Sequence, residues 1–450
     1  MRHRLAGFCL TLLLILCCGC SMPVPAGAQS AATKQAQNEG KQQPLSKFDA
    51  LRRFGQVLDI VERSYVNDIG QAELVDGAIK GMLQGLDPHS SFMSADEYKE
   101  MQETTSGEFF GIGVEIAMEN GQVTVVAPIE DTPAFNAGMK TGDIILTING
   151  QSTQEMTLQD VVSRIRGPKG TKVELSILHT NGREPVSLSI VRGAIPIVSV
   201  KSKKLEDGYY WIRVTRFSEK TTDELIEAFA KAKKEAGKTG IKGIVLDLRN
   251  NPGGLLSQAV SVSDLFLQKG TIVSIKGRSN VTERVYTAQA QPTDVEAPMV
   301  VLINAGSASA SEIVAGALKD QHRAAIVGER SFGKGSVQNI IPLADGSGLK
   351  LTVALYYTPD NRSIQAEGVS PDIEIPFEMP SDKDKENRFL LREADLNRHL
   401  ENSNAEDDSP NAEKKSEDKQ TKEQLAKDNQ LRLALQIVKG LPSMQAIKNK

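Results

Sequence analysis

Residues 303–314, INAGSASASEIV, place three hydroxyls at alternate positions, Ser307, Ser309 and Ser311, just after an apolar run. One of them could be a nucleophile, or all three could be turn and cap residues. Ser309-Ala-Ser-Glu312 fits the Ser-x-x-Glu capping box, in which hydroxyl and carboxylate bond to free backbone amides at a helix start. The same position favours chemistry. A helix N-terminus sits in positive potential, and its unbonded N–H groups can hold an oxyanion. Gly306, Ala308 and Ala310 are small enough for a substrate backbone to come close. The two readings are compatible.

A reactive serine needs a base, and the five histidines do not supply one in a Ser/His/Asp order. His3 lies in an apolar leader, His399 at the edge of a charged tail, His179 on or beside a strand, and His322 after a helix. His89, in Asp87-Pro-His-Ser90, is equally a turn residue. The alternative is a lysine base, and the candidate is Lys334 in Ser331-Phe-Gly-Lys-Gly-Ser-Val-Gln338. At its reference pKa of about 10.4, a lysine is neutral in about one molecule in 2,500 near pH 7. Lys334 must therefore be desolvated before it can accept a proton, and Phe332 and Val337 are apolar residues suited to walling it in. The Gln338 amide can orient the amine by accepting from it, without the negative charge that would raise its pKa. In the absence of Ser309 the plainer reading would stand, a surface lysine in a glycine turn.

A third stretch, Leu246-Asp-Leu-Arg-Asn-Asn-Pro-Gly-Gly254, reads as a strand running through a glycine turn into a helix. Its glycines can expose backbone N–H groups to a developing oxyanion, or simply make a tight strand–helix connection. Asp247 and Arg249 read as a structural pair. All four cysteines, Cys9, Cys17, Cys18 and Cys20, precede residue 21. The folded part thus has no thiol nucleophile, no disulfide framework and no cysteine-ligated metal.

The elements that must position these residues follow from the patterning. MRHR and the apolar run Leu5–Cys18 form an export leader too short for a stable membrane span. Ala26-Gly-Ala28 is a small-residue cleavage site, and Gly19-Cys20 is a competing lipid-acceptor site. Residues 1–28 are therefore read as a signal peptide and 29–44 as a flexible tether. Residues 45–105 form a helical N-terminal region, with apolar Leu51, Phe54, Leu58, Val61 and Tyr65 at helical spacing. From 106 to 192 the chain turns to strands. The loop Gly111-Ile-Gly-Val114, the alternating strand Gln122–Ala127, and Gly142-Asp143 leading to an Asn149-Gly150 turn together resemble a PDZ domain. From 193 to 376 apolar strands alternate with helices, an α/β core. Residues 377–450 are a charged C-terminal region, solvated or disordered over 377–420, with a terminal amphipathic helix at Leu431–Leu441 that could dock on the body. The formal charge of −4 and the lack of a basic stripe argue against nucleic acid as a partner.

Taken jointly, NPGG at 251–254, GSASASEI at 306–313 and FGKGSVQ at 332–338 resemble the C-terminal processing peptidases, or tail-specific proteases, the serine-lysine family S41. The resemblance covers nearly all of the chain after the leader. It implies an α/β, crotonase/ClpP-like catalytic core with a PDZ domain and a helical N-terminal region. It puts the nucleophile on Ser309, the base on Lys334 and the orienting amide on Gln338. It puts the oxyanion donors on the N–H groups of Ala310 and Gly254, with Gly253 as the alternative to Gly254. Peptide hydrolysis through an acyl-enzyme follows, with no metal or cofactor. In the PDZ unit, Gly111, Ile112, Gly113 and Val114 would receive the terminal carboxylate of an unstructured apolar tail, which adds as a strand beside Val114–Ile116. The expected setting is the bacterial envelope, periplasmic, with Cys20 as a candidate lipid anchor and a homo-oligomer compatible with the chain. The rival readings are a PDZ adaptor with an inactive core and a penicillin-binding-type Ser-Lys enzyme. The second is weakened because Ser-Asp-Asn is absent, although Ser-x-x-Lys occurs at Ser331–Lys334, Ser347–Lys350 and Ser416–Lys419.

Overall fold

Val245, Val300 and Leu302 point to one face of a single sheet, and Ile244, Leu246, Val301 and Ile303 to the other. This period-2 alternation, with both faces apolar, is what uninterrupted apolar strands give when a sheet is covered on both sides. The computed structural model describes residues 45–180, 182–278, 282–378 and 412–448. The leader, the tether, Cys20, His399 and residues 379–411 of the charged region lie outside the described residues.

The chain divides into two units, one to Ala78 and one from Ile79. The first holds helix Lys47–Ser64, capped by Ser46, whose Oγ accepts from the Asp49 N–H at 3.1 Å. The helix forms as predicted, and its apolar residues Phe48, Leu51, Phe54 and Ile60 are exposed.

In the second unit, the central sheet runs Val200–Glu206, Tyr209–Val214, Gly243–Asp247, Met299–Ile303, Ala325–Gly328, Ile373–Glu374. The first pair is antiparallel and the rest are parallel. Helices Thr221–Ala236, Leu256–Asp264 and Ala310–Asp320 contribute to the core on one face. Leu431, Ala434, Leu435 and Val438 of helix Asn429–Lys448 close the other. The predicted terminal helix therefore docks. The expectation that residues to 420 are unstructured is corrected for 412–420, which lie in helix Ala412–Lys427. That segment, AEKKSEDKQ, has no proline or glycine, and its Ala, Glu, Lys and Gln outweigh the weaker helix formers Ser416 and Asp418.

A second sheet, all antiparallel, joins Ser91–Met93, Thr271–Lys276, Thr282–Thr287, Ser336–Pro342 and Gly348–Tyr357. Ser91–Met93 thus takes a strand from the region read as helical into the sheet that carries Gln338. The Ile79–Lys450 unit also contains the PDZ-type sheet Val114–Glu119, Gln122–Pro128, Ile144–Ile148, Lys172–Leu178, Val186–Val191. Helix Leu158–Ile165 contributes Val161 and Ile165 to its core. Asn149 and Gly150 both take positive φ, 49° and 78°, as the hairpin turn requires.

Candidate active site

Ser309 lies between a strand that ends in the sheet core and a helix buried from Ala310 to Leu318. Its own backbone is strained, with φ 55° and ψ −112° in a region that non-glycine residues rarely enter. Such strain persists only where surrounding contacts hold it, and it concentrates at functional sites. The outer serines supply that holding. Ser307 Oγ donates to the Leu248 carbonyl at 2.8 Å, and Ser311 Oγ to the Asn251 carbonyl at 3.0 Å. Both are fully buried, so each hydroxyl is committed to tying the serine turn to the NPGG loop. Ser309 alone faces a cavity.

Glu312 supplies the carboxylate half of the capping box that the sequence suggested, accepting from the Ser309 N–H, while Ser309 Oγ makes no cap bond. The Glu312 carboxylate does more than cap. Fully buried, it accepts from the N–H groups of Ser309 (2.8 Å), Gly333 (2.7 Å) and Lys334 (2.9 Å) and from Ser331 Oγ (2.5 Å). One side chain thereby fixes the serine turn against the Gly-Lys-Gly loop. The capping signature was visible in the sequence; the second set of partners was not.

The cavity has a volume of about 600 Å³. Ser309, Ala310, Gly254, Lys334 and Gln338 all line it, so the five catalytic and oxyanion positions read from the sequence converge. Arg216 and Lys350 line it too, while none of its lining residues is Asp or Glu. Lys334 is partly buried, and burial lowers its pKa below the usual lysine value. The like charge of Lys350 lowers it further, against the opposing pull of Asp87 and Glu312. Val337 is one wall, but Phe332 is 61% exposed and does not line the cavity, which corrects the expectation that it would. The backbone turns its ring outward at that position.

Among the described residues no hydrogen bond joins Ser309 Oγ to Lys334 Nζ. Instead Tyr356 Oη lies 2.8 Å from Ser309 Oγ and 2.7 Å from the Lys334 carbonyl. A phenol has one proton, and a carbonyl can only accept, so the tyrosine proton belongs to the carbonyl contact. The serine proton is then the one directed at Tyr356. Burial raises the Tyr356 pKa, which keeps the phenol neutral. Gln338 Nε2 donates to Ser336 Oγ at 2.8 Å and to Thr352 Oγ1 at 3.4 Å. The sequence offered no local sign of Tyr356 or Thr352, because their strand approaches from downstream.

The NPGG loop is built on Asn251. Its Nδ2 donates to the Val214 carbonyl at 2.8 Å, its Oδ1 accepts from the Gly253 N–H at 2.9 Å, and its carbonyl accepts from the Ala308 N–H at 3.0 Å. Gly253 N–H is thus occupied. Among the described residues no acceptor takes the N–H of Gly254 or Ala310. Gly254 has φ 148°, and a Cβ there would lie 2.1 Å from the Phe217 carbonyl oxygen, so no other residue fits. Arg249 bridges Asp247 (2.9 and 2.7 Å) and Asp428 (3.0 and 2.7 Å), the structural role predicted for it, extended to the C-terminal segment.

Away from the cavity, Gly111 pairs with Gly193 in a two-stranded ladder, and Ile112 is a fully buried core residue. Val114 begins strand Val114–Glu119, which among the described residues has a partner on one side only, Gln122–Pro128. The N–H groups of Ile112 and Gly113 meet no acceptor among the described residues. Gly113 takes φ 77° beside Thr132, whose side chain a Cβ would strike at 2.4 Å. His179 Nδ1 bonds Asp143 at 2.8 Å, inside the PDZ unit. Arg166 reaches Glu103 at 3.7 Å, on helix Ala95–Ser106, whose Met101, Thr104 and Thr105 line the cavity at Ser309. Among the described residues no group of three or more His, Cys, Asp or Glu is placed to hold a metal ion, and no helix is long and apolar enough to cross a membrane.

The profile for peptidase family S41 matches residues 208–375, a PDZ-domain profile matches 124–179, and the N-terminal domain of the activating protease CtpB matches 20–97. The carboxy-terminal-processing protease of Bartonella bacilliformis is 44% identical over 84% of this chain and 85% of its own length. The carboxy-terminal processing protease CtpA of Bacillus subtilis is 40% identical over 74% of this chain and 70% of its own. Among solved structures, a photosystem II D1 C-terminal processing protease is 32% identical, with 72% of this chain and 92% of that chain covered and a TM-score of 0.42.

Proposed function

The chain belongs to peptidase family S41 and is a C-terminal processing serine protease with a PDZ domain, and from that premise we propose a Ser309–Lys334 dyad as its catalytic machinery. The observation that carries the reading is convergence. The one serine of the three not committed to the loop, a lysine with a lowered pKa, and two unbonded N–H donors meet at one cavity. A PDZ adaptor with an inactive core needs none of these together.

Catalysis begins when the Ser309 hydroxyl leaves Tyr356 and gives its proton to neutral Lys334, an approach that tightens on substrate engagement. Ser309 Oγ attacks the scissile carbonyl, and the N–H groups of Gly254 and Ala310 hold the oxyanion. Gln338 Oε1 orients the amine. Lys334 then protonates the leaving amine and activates the water that hydrolyses the acyl-enzyme.

Apolar C-terminal tails of exported proteins are the substrate class that fits. The tail adds as a strand on the open edge of Val114–Glu119, and the N–H groups of the Gly111–Val114 loop take its carboxylate. The support is the open edge and the unbonded N–H groups of Ile112 and Gly113. Matched peptides, one free acid and one amidated, test this. The free acid is expected to bind and be cleaved about tenfold better, because an amide carries no charge to strengthen the hydrogen bonds from the loop. Equal affinity removes the loop from the mechanism.

Export to the periplasm through the leader, lipidation at Cys20, and a second copy of the chain covering the exposed apolar face of Lys47–Ser64 complete the proposal. Native mass spectrometry of the mature protein reads all three. A monomer that retains its leader counts against export and assembly together.

A further inference from the structure

The Asp87-Pro-His-Ser90 turn, which the catalytic reading leaves unused, is wired to the active site. Asp87 Oδ1 accepts from the N–H groups of His89 (2.8 Å) and Ser90 (3.0 Å), and Oδ2 accepts from Ser90 Oγ (2.7 Å). The turn then meets the strand Gly348–Tyr357 at one residue. The Thr352 N–H donates to Ser90 Oγ at 3.1 Å, and Thr352 Oγ1 lies 3.1 Å from Asp87 Oδ1. A carboxylate only accepts, so the threonine proton goes to Asp87. Thr352 Oγ1 can then only accept from Gln338, and it faces Gln338 Nε2 at 3.4 Å. With Nε2 also bonded to Ser336 Oγ, the nitrogen side of the amide is occupied, and among the described residues no donor meets its oxygen. A flipped amide would set its oxygen against the lone pairs of Thr352.

We propose that Asp87, acting through Thr352, is a positioning residue that fixes the direction of the Gln338 amide, so that Oε1 is the atom offered to Lys334. The direction of each bond in the chain is set by the one before it, and the first member is an acceptor that cannot reverse. Asp87 stays ionised in this role. Burial alone would raise its pKa, but the hydrogen bonds from Ser90, His89 and Thr352 outweigh that and lower it. Coupled bonds of this kind act as a unit. The proposal rests on the reading of Lys334 as base and Gln338 as its orienting amide.

Thr352→Val keeps the strand residue β-branched and removes only the hydroxyl. Its kcat on a peptide with a free apolar C-terminus is expected to fall about tenfold with KM nearly unchanged. Thr352→Ser, which restores the hydroxyl, is expected to recover the rate, and a general loss of folding would not show that rescue. Thr352→Val should not add to Gln338→Ala, because both cut the same chain, whereas Asp87→Ala also removes a charge that raises the Lys334 pKa and is expected to lower kcat by less. If Gln338→Ala is impaired while Thr352→Val retains full kcat, the positioning role is wrong and the dyad reading stands. If Gln338→Ala itself has full activity, the reading of Gln338 fails and this inference fails with it.

Discussion

Ser309→Ala is expected to lower cleavage of a peptide with a free apolar C-terminus by at least about 10⁴-fold, and Lys334→Ala to do the same. The alanine at 309 occupies no more space than the serine, so the fold is retained and only the nucleophile is removed. Lys334→Arg is equally informative. It keeps length and charge, but a guanidinium does not deprotonate near neutral pH, so this variant is expected to be inactive too. Full activity in any of the three removes the dyad. The pH dependence follows with a definite sign. The base must be neutral, so kcat/KM rises with pH through the Lys334 pKa and is lost as the amine protonates below it. Burial is the main cause of the lowered pKa, and the charge of Lys350 is the next. Lys350→Gln removes a like charge, lets the Lys334 pKa rise, and moves the acid limb of the kcat/KM profile to higher pH. A limb that does not move means that another group titrates there.

The second large effect is expected at Glu312, a residue that touches no substrate in the proposed mechanism. Glu312→Ala leaves four donors without their acceptor, the N–H groups of Ser309, Gly333 and Lys334 and the hydroxyl of Ser331. An unsatisfied buried donor costs about 1–3 kcal/mol, and part of the loss is recovered by water entering from the cavity, so a destabilisation of about 3–5 kcal/mol is expected by urea unfolding. The rate should suffer as well. The carboxylate is what holds the serine turn to the lysine loop, and a displacement of about 1 Å at such a site costs about 10²-fold in kcat. Glu312→Gln is the milder variant. Its amide keeps one accepting oxygen, and Ser331 Oγ can turn to accept from the new NH₂, so both losses should be intermediate. If Glu312→Ala unfolds at the wild-type urea concentration and cleaves at the wild-type rate, the clamp is not needed.

These expectations divide by where their information lies in the chain. A hairpin turn at Asn149-Gly150, a capping pair at Ser309 and Glu312, and strands of unbroken apolar residues are properties of a few consecutive positions, and all were legible. So were the three segments that hold the catalytic candidates, because each pairs a reactive side chain with the glycines or small residues its backbone needs. The misreadings came where a local rule met a distant partner. Phe332 is apolar beside Lys334, yet the loop directs it to solvent. Residues 412–420 are charged, yet they continue into a helix whose following segment packs on the central sheet.

By itself the sequence determined which groups can do chemistry, a hydroxyl at a helix start, a lysine between glycines, and a glycine pair after a strand, because side-chain type and backbone freedom are written residue by residue. Only the tertiary structure decided what each group bonds to. Tyr356 reaches Ser309 across 47 positions, and Thr352 reaches Asp87 across 265. A hydrogen bond depends on distances of about 3 Å and on which partner still has a proton to give, and neither quantity exists until the strands are packed.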